Sequence, residues 1–197
     1  MVEELLDDTK LIPVPRLLAD QVRFVTRRLG TNVSIFTKIA LEQALRVEQL
    51  YSDLEEAVDL YHMNLVQRGA GMLIFQRAGF RDLVSNLDIE EREKLLETWY
   101  LSGRWYSAYL SARLDQDILE FLEKDLLITW NLDESEIKTK DVMVSVRLTC
   151  FGMSPQFTDF LVMYTKGIFD ELGYDISDED VLPGLISINF LKNIKKN

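Results

Sequence analysis

The chain has 197 residues and a formal net charge of -11, with 47% hydrophobic and 28% charged residues, a composition that suits a packed core and excludes wholesale disorder. One cysteine and one histidine leave almost no material for a disulfide framework, a zinc site or a catalytic triad, so we expect no metal, no cofactor and no enzymatic activity. No apolar run approaches the roughly 20 residues that span a bilayer, and the acidic N-terminus is unlike a signal peptide. These features predict a cytoplasmic protein with no membrane partner.

Positive charge is concentrated near the N-terminus of this acidic chain. Residues 9–50 carry three acidic side chains and seven cations, which are Lys10, Arg16, Arg23, Arg27, Arg28, Lys38 and Arg46. A basic island of this kind suits a site for a polyanion. An equal alternative is a solvated helix face whose counter-charges lie elsewhere in the fold.

The first 70 residues predict a short strand followed by helices. Residues 9–14 are β-capable and end at Pro15, and an amphipathic helix follows that Gly30 stops. Thr31 or Asn32 can cap a second helix. That helix either continues to Gly69 or turns near residues 52–53, where Ser52 and Glu55 could form a capping box.

The remaining sequence predicts helices and then a small β region. Helical patterns cover residues 72–83, 88–101 and 105–127, with Gly103 as a break. Residues 127–132 and 142–151 are predicted strands joined by an acidic turn at 133–136. A helix from Ser154 to about Leu172 and a last strand at 185–191 follow. The predicted fold class is α+β, predominantly helical, with a C-terminal β-β-α-β unit.

The N-terminal segment is predicted to have a strand, a proline, a helix, a glycine and a capped helix, in that order. The residues that carry this pattern are Val14-Pro15, Leu18, Val22, Leu29-Gly30, Ser34, Phe36 and Ile39-Ala40-Leu41. In this order, without gaps, it resembles the ribbon-helix-helix family of DNA-binding proteins. The resemblance implies a homodimer in which one strand from each chain forms a ribbon that enters the major groove. It also implies phosphate binding at the start of the second helix. A plain helical hairpin is the alternative.

The DNA contacts implied by this resemblance fall on a defined set of side chains. Thr9, Leu11 and Pro13 would face the groove, although polar or basic residues are usual there. A slip of one residue would turn Lys10 outward instead. The candidate DNA-binding residues are Thr9, Lys10, Leu11, Arg16, Arg23, Arg27, Arg28, Asn32, Val33, Ser34 and Lys38.

The C-terminal segment carries the motifs Gly103-Arg104-Trp105-Tyr106, Phe157-Thr158-Asp159-Phe160-Leu161, Gly167-Ile168-Phe169 and Leu172-Gly173-Tyr174-Asp175-Ile176. With these motifs it resembles the 4-vinyl-reductase domain and its relatives in vesicle-tethering complexes, which implies a dimerising domain that senses a small molecule. A generic α+β core is the alternative. The segment 99–109 is rich in aromatic residues, which form either the wall of an apolar ligand pocket or ordinary core. The candidate pocket residues are Trp99, Trp105, Tyr106 and Tyr109.

Together these features predict a homodimeric transcription regulator that binds DNA and a small apolar ligand. Residues 1–50 would form the ribbon-helix-helix-like module, residues 51–68 a connecting helix, and residues 69–197 an α+β regulatory domain. One competing hypothesis is a scaffold dimer that keeps the fold without binding DNA. Another is a small-ligand binding protein or an enzyme of unknown reaction, for which no catalytic set is visible.

Overall fold

The computed structural model of the protein describes residues 11–50, 53–114 and 117–193. Its elements in chain order are α1 (Arg16–Leu29), α2 (Val33–Glu48), α3 (Leu54–Gly69), α4 (Arg77–Val84), α5 (Ile89–Arg113), α6 (Ile118–Thr129), β1 (Glu134–Lys140), β2 (Met143–Thr149), α7 (Pro155–Glu171), β3 (Tyr174–Leu182) and β4 (Leu185–Lys192). The chain divides into two compact units, residues 1–64 and 65–197, and the boundary falls within α3. The predicted α+β, mainly helical class is confirmed, whereas the ribbon-helix-helix module stays a prediction.

Helices α1 and α2 lie where the sequence predicts them. Gly30 ends α1 in the left-handed conformation, with φ of 66°, and its backbone N–H donates to carbonyl groups of the last turn. Asn32 begins α2, because its side-chain oxygen accepts a hydrogen bond from the backbone N–H of Ile35 at 2.8 Å. The helix–glycine–cap–helix pattern is therefore present.

Residues 11–14 of the strand predicted over residues 9–14 form no strand in the single chain. Thr9 and Lys10 lie outside the described residues, and residues 11–15 have no regular secondary structure. A strand needs a neighbouring strand for its backbone N–H and C=O groups, and none of the four described strands pairs with residues 11–15.

The sequence allowed two possibilities, one of which was a single continuous helix up to Gly69. The structure has two separate helices instead. Helix α2 ends at Glu48 and α3 begins at Leu54. Asp53 caps α3 by accepting a hydrogen bond from the backbone N–H of Glu56 at 2.6 Å. The predicted capping residue Ser52 lies outside the described residues.

In the second unit, the prediction that Gly103 breaks a helix is wrong. Helix α5 runs through this glycine without interruption. It begins with a capping box, in which Asp88 accepts from the backbone N–H of Glu91 and the Glu91 carboxylate accepts from that of Asp88. Gly103 is buried where α5 packs against α7, and its lack of a side chain serves that contact.

The β region also differs from its prediction. Residues 127–129 belong to helix α6, so the strand predicted over residues 127–132 is wrong, and the predicted acidic turn at 133–136 begins strand β1. A further strand, β3, covers an acidic segment that the prediction left out, so the unit is β-β-α-β-β. The predicted strand at 142–151 corresponds to β2, and that at 185–191 to β4.

The four strands form one antiparallel sheet in the order β1-β2-β4-β3. Alternate residues of the two central strands form its buried face, namely Val144, Val146, Leu148, Ile186, Ile188 and Phe190. Helix α7 packs on this face, where the ring of Phe169 stacks on that of Phe190 with centroids 4.3 Å apart. The core of the second unit therefore lies between the sheet and α5, α6 and α7.

None of the helices in the described part of the chain has the length and hydropathy that a membrane span requires.

Candidate functional sites

Thr9 and Lys10 lie outside the described residues, and the other candidate DNA-binding residues lie on α1, on α2, at the cap between them and on the segment before α1. Leu11 is fully exposed, at 102% of its reference area, and has no regular secondary structure. Arg16, Arg23, Arg27 and Arg28 lie on α1, and Lys38 lies on α2. The structure therefore leaves all five of these cations at the surface.

Helix α1 separates its charged and apolar residues onto opposite sides. Spacings of four, three and four residues place Arg16, Asp20, Arg23 and Arg27 on one side. The same spacing places a second set on the other side: Leu18, Val22, Val25 and Leu29. The polar side carries three cations and one carboxylate, which gives α1 a net basic stripe along its length.

Two of the five cations are neutralised within their own helices. Arg23 pairs with Asp20 at 3.1 Å, and Lys38 pairs with Glu42 at 3.8 Å. Arg16, Arg27 and Arg28 form no ion pair with any other residue that the structure describes. These three arginines keep their donors for an external anion.

Two of these arginines lie beside the start of α2. Arg27 and Arg28 lie in the last turn of α1, which three residues join to α2. Val33 and Ser34 form the first turn of α2, whose backbone N–H groups point away from the helix. The helix dipole adds partial positive charge at this end, so the arginines and the amides favour a phosphate group together.

The first unit leaves most of its apolar side chains exposed. Between residues 11 and 50, Thr26 is the one buried residue among those described. Helix α2 is apolar on two sides: Phe36 and Val47 are half-buried, while Ile35 and Ile39 are each 51% exposed. A helix that is apolar over so much of its circumference belongs to a larger core than two helices provide.

The candidate pocket residues on α5 separate into two pairs. Trp99 and Tyr106 face the core of the second unit, where Trp99 contacts Trp130 with ring centroids 5.1 Å apart. Trp105 is 55% exposed and stacks on Tyr109 with centroids 5.6 Å apart. Trp105 and Tyr109 are therefore in contact, while Trp99 and Tyr106 each contact the ring of Tyr164.

A buried carboxylate, which sequence reasoning missed, lies next to the inward pair. Asp125 of α6 is 0% exposed, and its Oδ1 accepts from the Nε2 of Gln67 at 2.8 Å and from the Thr129 hydroxyl at 3.5 Å. The Tyr106 hydroxyl donates to the same carboxylate, and the Tyr164 hydroxyl is buried without a hydrogen-bond partner among the described residues. Its place in the sequence could have revealed this buried carboxylate, because Asp125 lies in the apolar stripe of α6 that carries Phe121, Leu122 and Leu126.

Burial dominates the electrostatics of this cluster of Asp125, Tyr106 and Tyr164. It raises the pKa of Asp125 to about 6, against an ordinary value of 3.8, although polar groups of neighbouring side chains act in the opposite direction. Burial and the Asp125 charge raise the pKa of both tyrosine hydroxyls. No lysine, arginine or histidine of the described ranges pairs with Asp125. The carboxylate is therefore ionised at neutral pH without a compensating cation.

Within residues 11–50, 53–114 and 117–193, no three histidine, cysteine, aspartate or glutamate side chains converge as a metal site. No protein-family model matches this sequence, and no curated protein is significantly similar to it.

Proposed function

We propose that the protein is a homodimeric transcription regulator that binds DNA through its first 50 residues and senses a small molecule through its second unit. The observation that carries this proposal is the hairpin of α1 and α2. It combines a glycine-ended first helix, an asparagine-capped second helix and an unpaired arginine pair where the two helices meet. That combination is what the ribbon-helix-helix resemblance implies.

The exposed apolar residues of α1 and α2 support a second copy of this chain as the partner. Leu18, Leu29 and Ile39 are exposed in the single chain, on helices that lack a core of their own. Pairing of two hairpins would bury these side chains in a four-helix core, at about 25 cal/mol for each Å² of apolar surface removed from water. The same pairing would give residues 11–14, which form no strand in the single chain, a strand partner.

The charge of the first unit supports a polyanion as the ligand of that dimer. Residues 11–50 carry six cations and three carboxylates, so each chain contributes a net charge of +3 from this segment to a protein whose total is -11. Arg27, Arg28 and the first turn of α2 would bind phosphate groups. Such contacts supply affinity and a steep salt dependence.

Fluorescence anisotropy with a short labelled duplex of mixed sequence tests this function, at roughly 50 and 200 mM salt. We expect affinity that falls steeply with salt. The double substitution Arg27→Ala and Arg28→Ala should lower it and reduce the salt slope by about 1 for each phosphate group that the variant no longer binds. Arg46→Ala is the matched control, because Arg46 lies in the last turn of α2, at the helix end opposite Asn32.

Two results would contradict DNA binding. One is the absence of binding at the lower salt concentration, and the other is unchanged binding by the double variant. A dimer that binds no DNA would favour the scaffold hypothesis, which the apolar and fully exposed Leu11 at a groove-facing position supports.

A further inference from the structure

We infer that helix α3 is a second part of the dimer interface, and that it packs in antiparallel orientation against the α3 helix of a second copy of this chain. The inference rests on the homodimer of the proposed function and names a contact outside residues 11–50. It makes no use of DNA binding, so the two proposals can fail separately.

The first argument is an apolar stripe along one side of α3. Its four side chains follow one another at spacings of four, three and four residues, which is the pattern of a coiled-coil seam. All four are exposed in the single chain: Leu54 is 51%, Val58 59%, Tyr61 67% and Leu65 48% exposed. A second helix packed along this stripe would bury them.

The second argument is that the opposite side of α3 is buried within the chain. Met63, half a turn from the stripe, is 3% exposed, and Val66 is 5% exposed. On the same side the Gln67 side chain donates to Asp125 Oδ1 at 2.8 Å. A helix with apolar residues on both sides needs a neighbour on each. The part of the chain that the structure describes buries one side of α3 and leaves the stripe exposed.

The third argument is the symmetry of the stripe, which makes a second copy of α3 a fitting partner. The spacing of four, three and four residues is the same in both directions along the helix. Two antiparallel copies therefore place Leu54 opposite the partner's Leu65 and Val58 opposite the partner's Tyr61, and the reverse contacts repeat them. A two-fold symmetric dimer has contacts of this reciprocal kind.

The fourth argument is the charge of α3, which favours the antiparallel orientation. The capping residue and the first half of the helix carry four carboxylates, which are Asp53, Glu55, Glu56 and Asp59. Residues 60–69 carry Arg68 and no carboxylate. Antiparallel copies place each acidic half beside the half that carries Arg68, whereas parallel copies would place four carboxylates beside four. The helix dipoles act in the same direction.

The size of the stripe makes α3 one part of an interface. A standard interface buries about 800 Å² on each partner, which is more than four half-exposed side chains supply. Exposed apolar side chains of the preceding residues add to the stripe, since Leu45 is 64% and Leu50 is 73% exposed. The stripe therefore extends the apolar surface that residues 11–50 offer to a second copy of this chain.

Disulfide cross-linking of the full chain tests the orientation. Leu54→Cys and Leu65→Cys chains that carry tags of different mass are co-expressed, oxidised and separated by non-reducing electrophoresis. We expect Leu54→Cys to cross-link to Leu65→Cys but not to another Leu54→Cys chain. The two copies of position 54 would lie about 16 Å apart along an antiparallel pair, and a disulfide joins Cα atoms no more than about 7 Å apart. The unsubstituted chain is the control, because its Cys150 is buried.

Val58→Asp tests how much the stripe contributes to dimer affinity. The substitution places a charge in the middle of the seam and should raise the dimer dissociation constant at least about tenfold. Asn64→Asp is the matched control, because it adds the same charge at an exposed position of α3 about a quarter turn from the stripe. It should change the dissociation constant less than about threefold. Sedimentation equilibrium at several protein concentrations measures both values.

The inference is overturned if Leu54→Cys cross-links to itself as readily as to Leu65→Cys, or if Val58→Asp and Asn64→Asp dimerise with equal affinity. A chain that dimerises although neither cysteine pair cross-links would also overturn it, and would leave the dimer of residues 11–50 intact. The expected cross-link in a chain that binds no DNA would overturn the regulator proposal alone.

Discussion

Gly103 of α5 and Gly167 of α7 each lie directly against the backbone of the opposite helix. A Cβ on Gly103 would overlap the carbonyl oxygen of Tyr164, and a Cβ on Gly167 would overlap that of Tyr100. The two contacts repeat one spacing, since each tyrosine precedes the glycine of its own helix by three residues. The helices therefore approach backbone to backbone at two related points, and only glycine leaves room for this approach.

Gly103→Ala is therefore expected to destabilise the protein, although alanine favours a helix over glycine. The added methyl group must push α5 away from α7, and overpacking of this kind costs about 1–3 kcal/mol. The change is measured as a lower free energy of unfolding in urea. Gly167→Ala should have the same effect, because the contact is reciprocal.

Gly79→Ala is the matched control for this pair of substitutions. Gly79 lies within α4, and no atom lies within 4 Å of the position of an added Cβ. The helix propensity of alanine should raise the free energy of unfolding there by up to about 1 kcal/mol. A Gly103→Ala protein as stable as the Gly79→Ala protein would contradict the close helix contact.

The glycines also show where prediction from sequence succeeded. Gly30 ends a helix because local signals surround it: an apolar stripe ends there and a capping asparagine follows. Gly103 is also a glycine, but the helix in which it lies continues beyond it. Its role depends on Tyr164, which is 61 residues away in the chain, and no local pattern contains that information.

The edge strands were missed for a related reason. Strand β1 reads Glu-Ser-Glu-Ile-Lys-Thr-Lys and has one large apolar residue, Ile137, while β3 carries Asp178, Glu179 and Asp180. Both are edge strands of the sheet, where charged side chains are common because one side has no neighbouring strand. Hydrophobic alternation therefore identified the central strands β2 and β4 but not the strands that flank them.

The candidate site in the second unit was only half predictable. Trp99 and Tyr106 belonged to the aromatic set singled out in the sequence, but Asp125 did not, because the side chains around it come from three other helices. Gln67 lies on α3, Tyr106 on α5 and Tyr164 on α7. Only the packing of these helices brings the side chains together.

The stability of the protein should depend on the protonation of Asp125. Its pKa is about 6 in the folded chain and 3.8 ordinarily, so the folded state holds the proton more tightly than the unfolded state does. The stabilisation is complete below about pH 4 and is lost as the pH rises through 6, by about 3 kcal/mol in all. Unfolding in urea at several pH values between 4 and 8 measures this loss.

Asp125→Asn should remove that part of the pH dependence. The asparagine has no proton to release, and its amide oxygen can still accept the hydrogen bond of Gln67. Glu93→Gln, at an exposed position of α5, is the control and should leave the profile unchanged. Identical profiles for Asp125→Asn and the unsubstituted chain would show that the carboxyl is not the titrating group.

The proposed ribbon makes opposite predictions for two adjacent residues. If Leu11 faces outward, then Ile12 faces the four-helix core of the dimer, because side chains alternate along a strand. Ile12→Asp should therefore convert a dimer to a monomer, while Leu11→Ser should leave the dimer intact. Sedimentation velocity of the full chain distinguishes the two outcomes.

A monomeric unsubstituted chain, or dimers of equal affinity for both variants, would contradict the ribbon. Leu11→Ser should still alter the discrimination between duplex sequences, since an outward Leu11 contacts bases. That separation of dimerisation from base contact is specific to a strand and would not arise from a helix.

A buried hydroxyl fixes the turn between β3 and β4 to the start of α7. The Thr158 hydroxyl oxygen accepts from the backbone N–H of Gly184 at 2.9 Å, and the hydroxyl donates to the carbonyl oxygen of Ser154 at 3.0 Å. Thr158→Val keeps the shape of the side chain but leaves the Gly184 N–H without its acceptor in the interior. We expect the free energy of unfolding to fall by about 1–3 kcal/mol.

Thr139→Val on strand β1 is the control for this substitution, because Thr139 is exposed and valine suits a strand equally well. It should change the free energy of unfolding by no more than about 0.5 kcal/mol. Equal effects of the two substitutions would mean that water replaces the threonine hydroxyl at Gly184. A larger effect at Thr158 would show that this hydrogen bond holds the β3–β4 turn together with the one that the Gly184 carbonyl oxygen accepts from the backbone N–H of Cys150. Gly184 also requires its left-handed φ of 75° and cannot shift freely to a new acceptor.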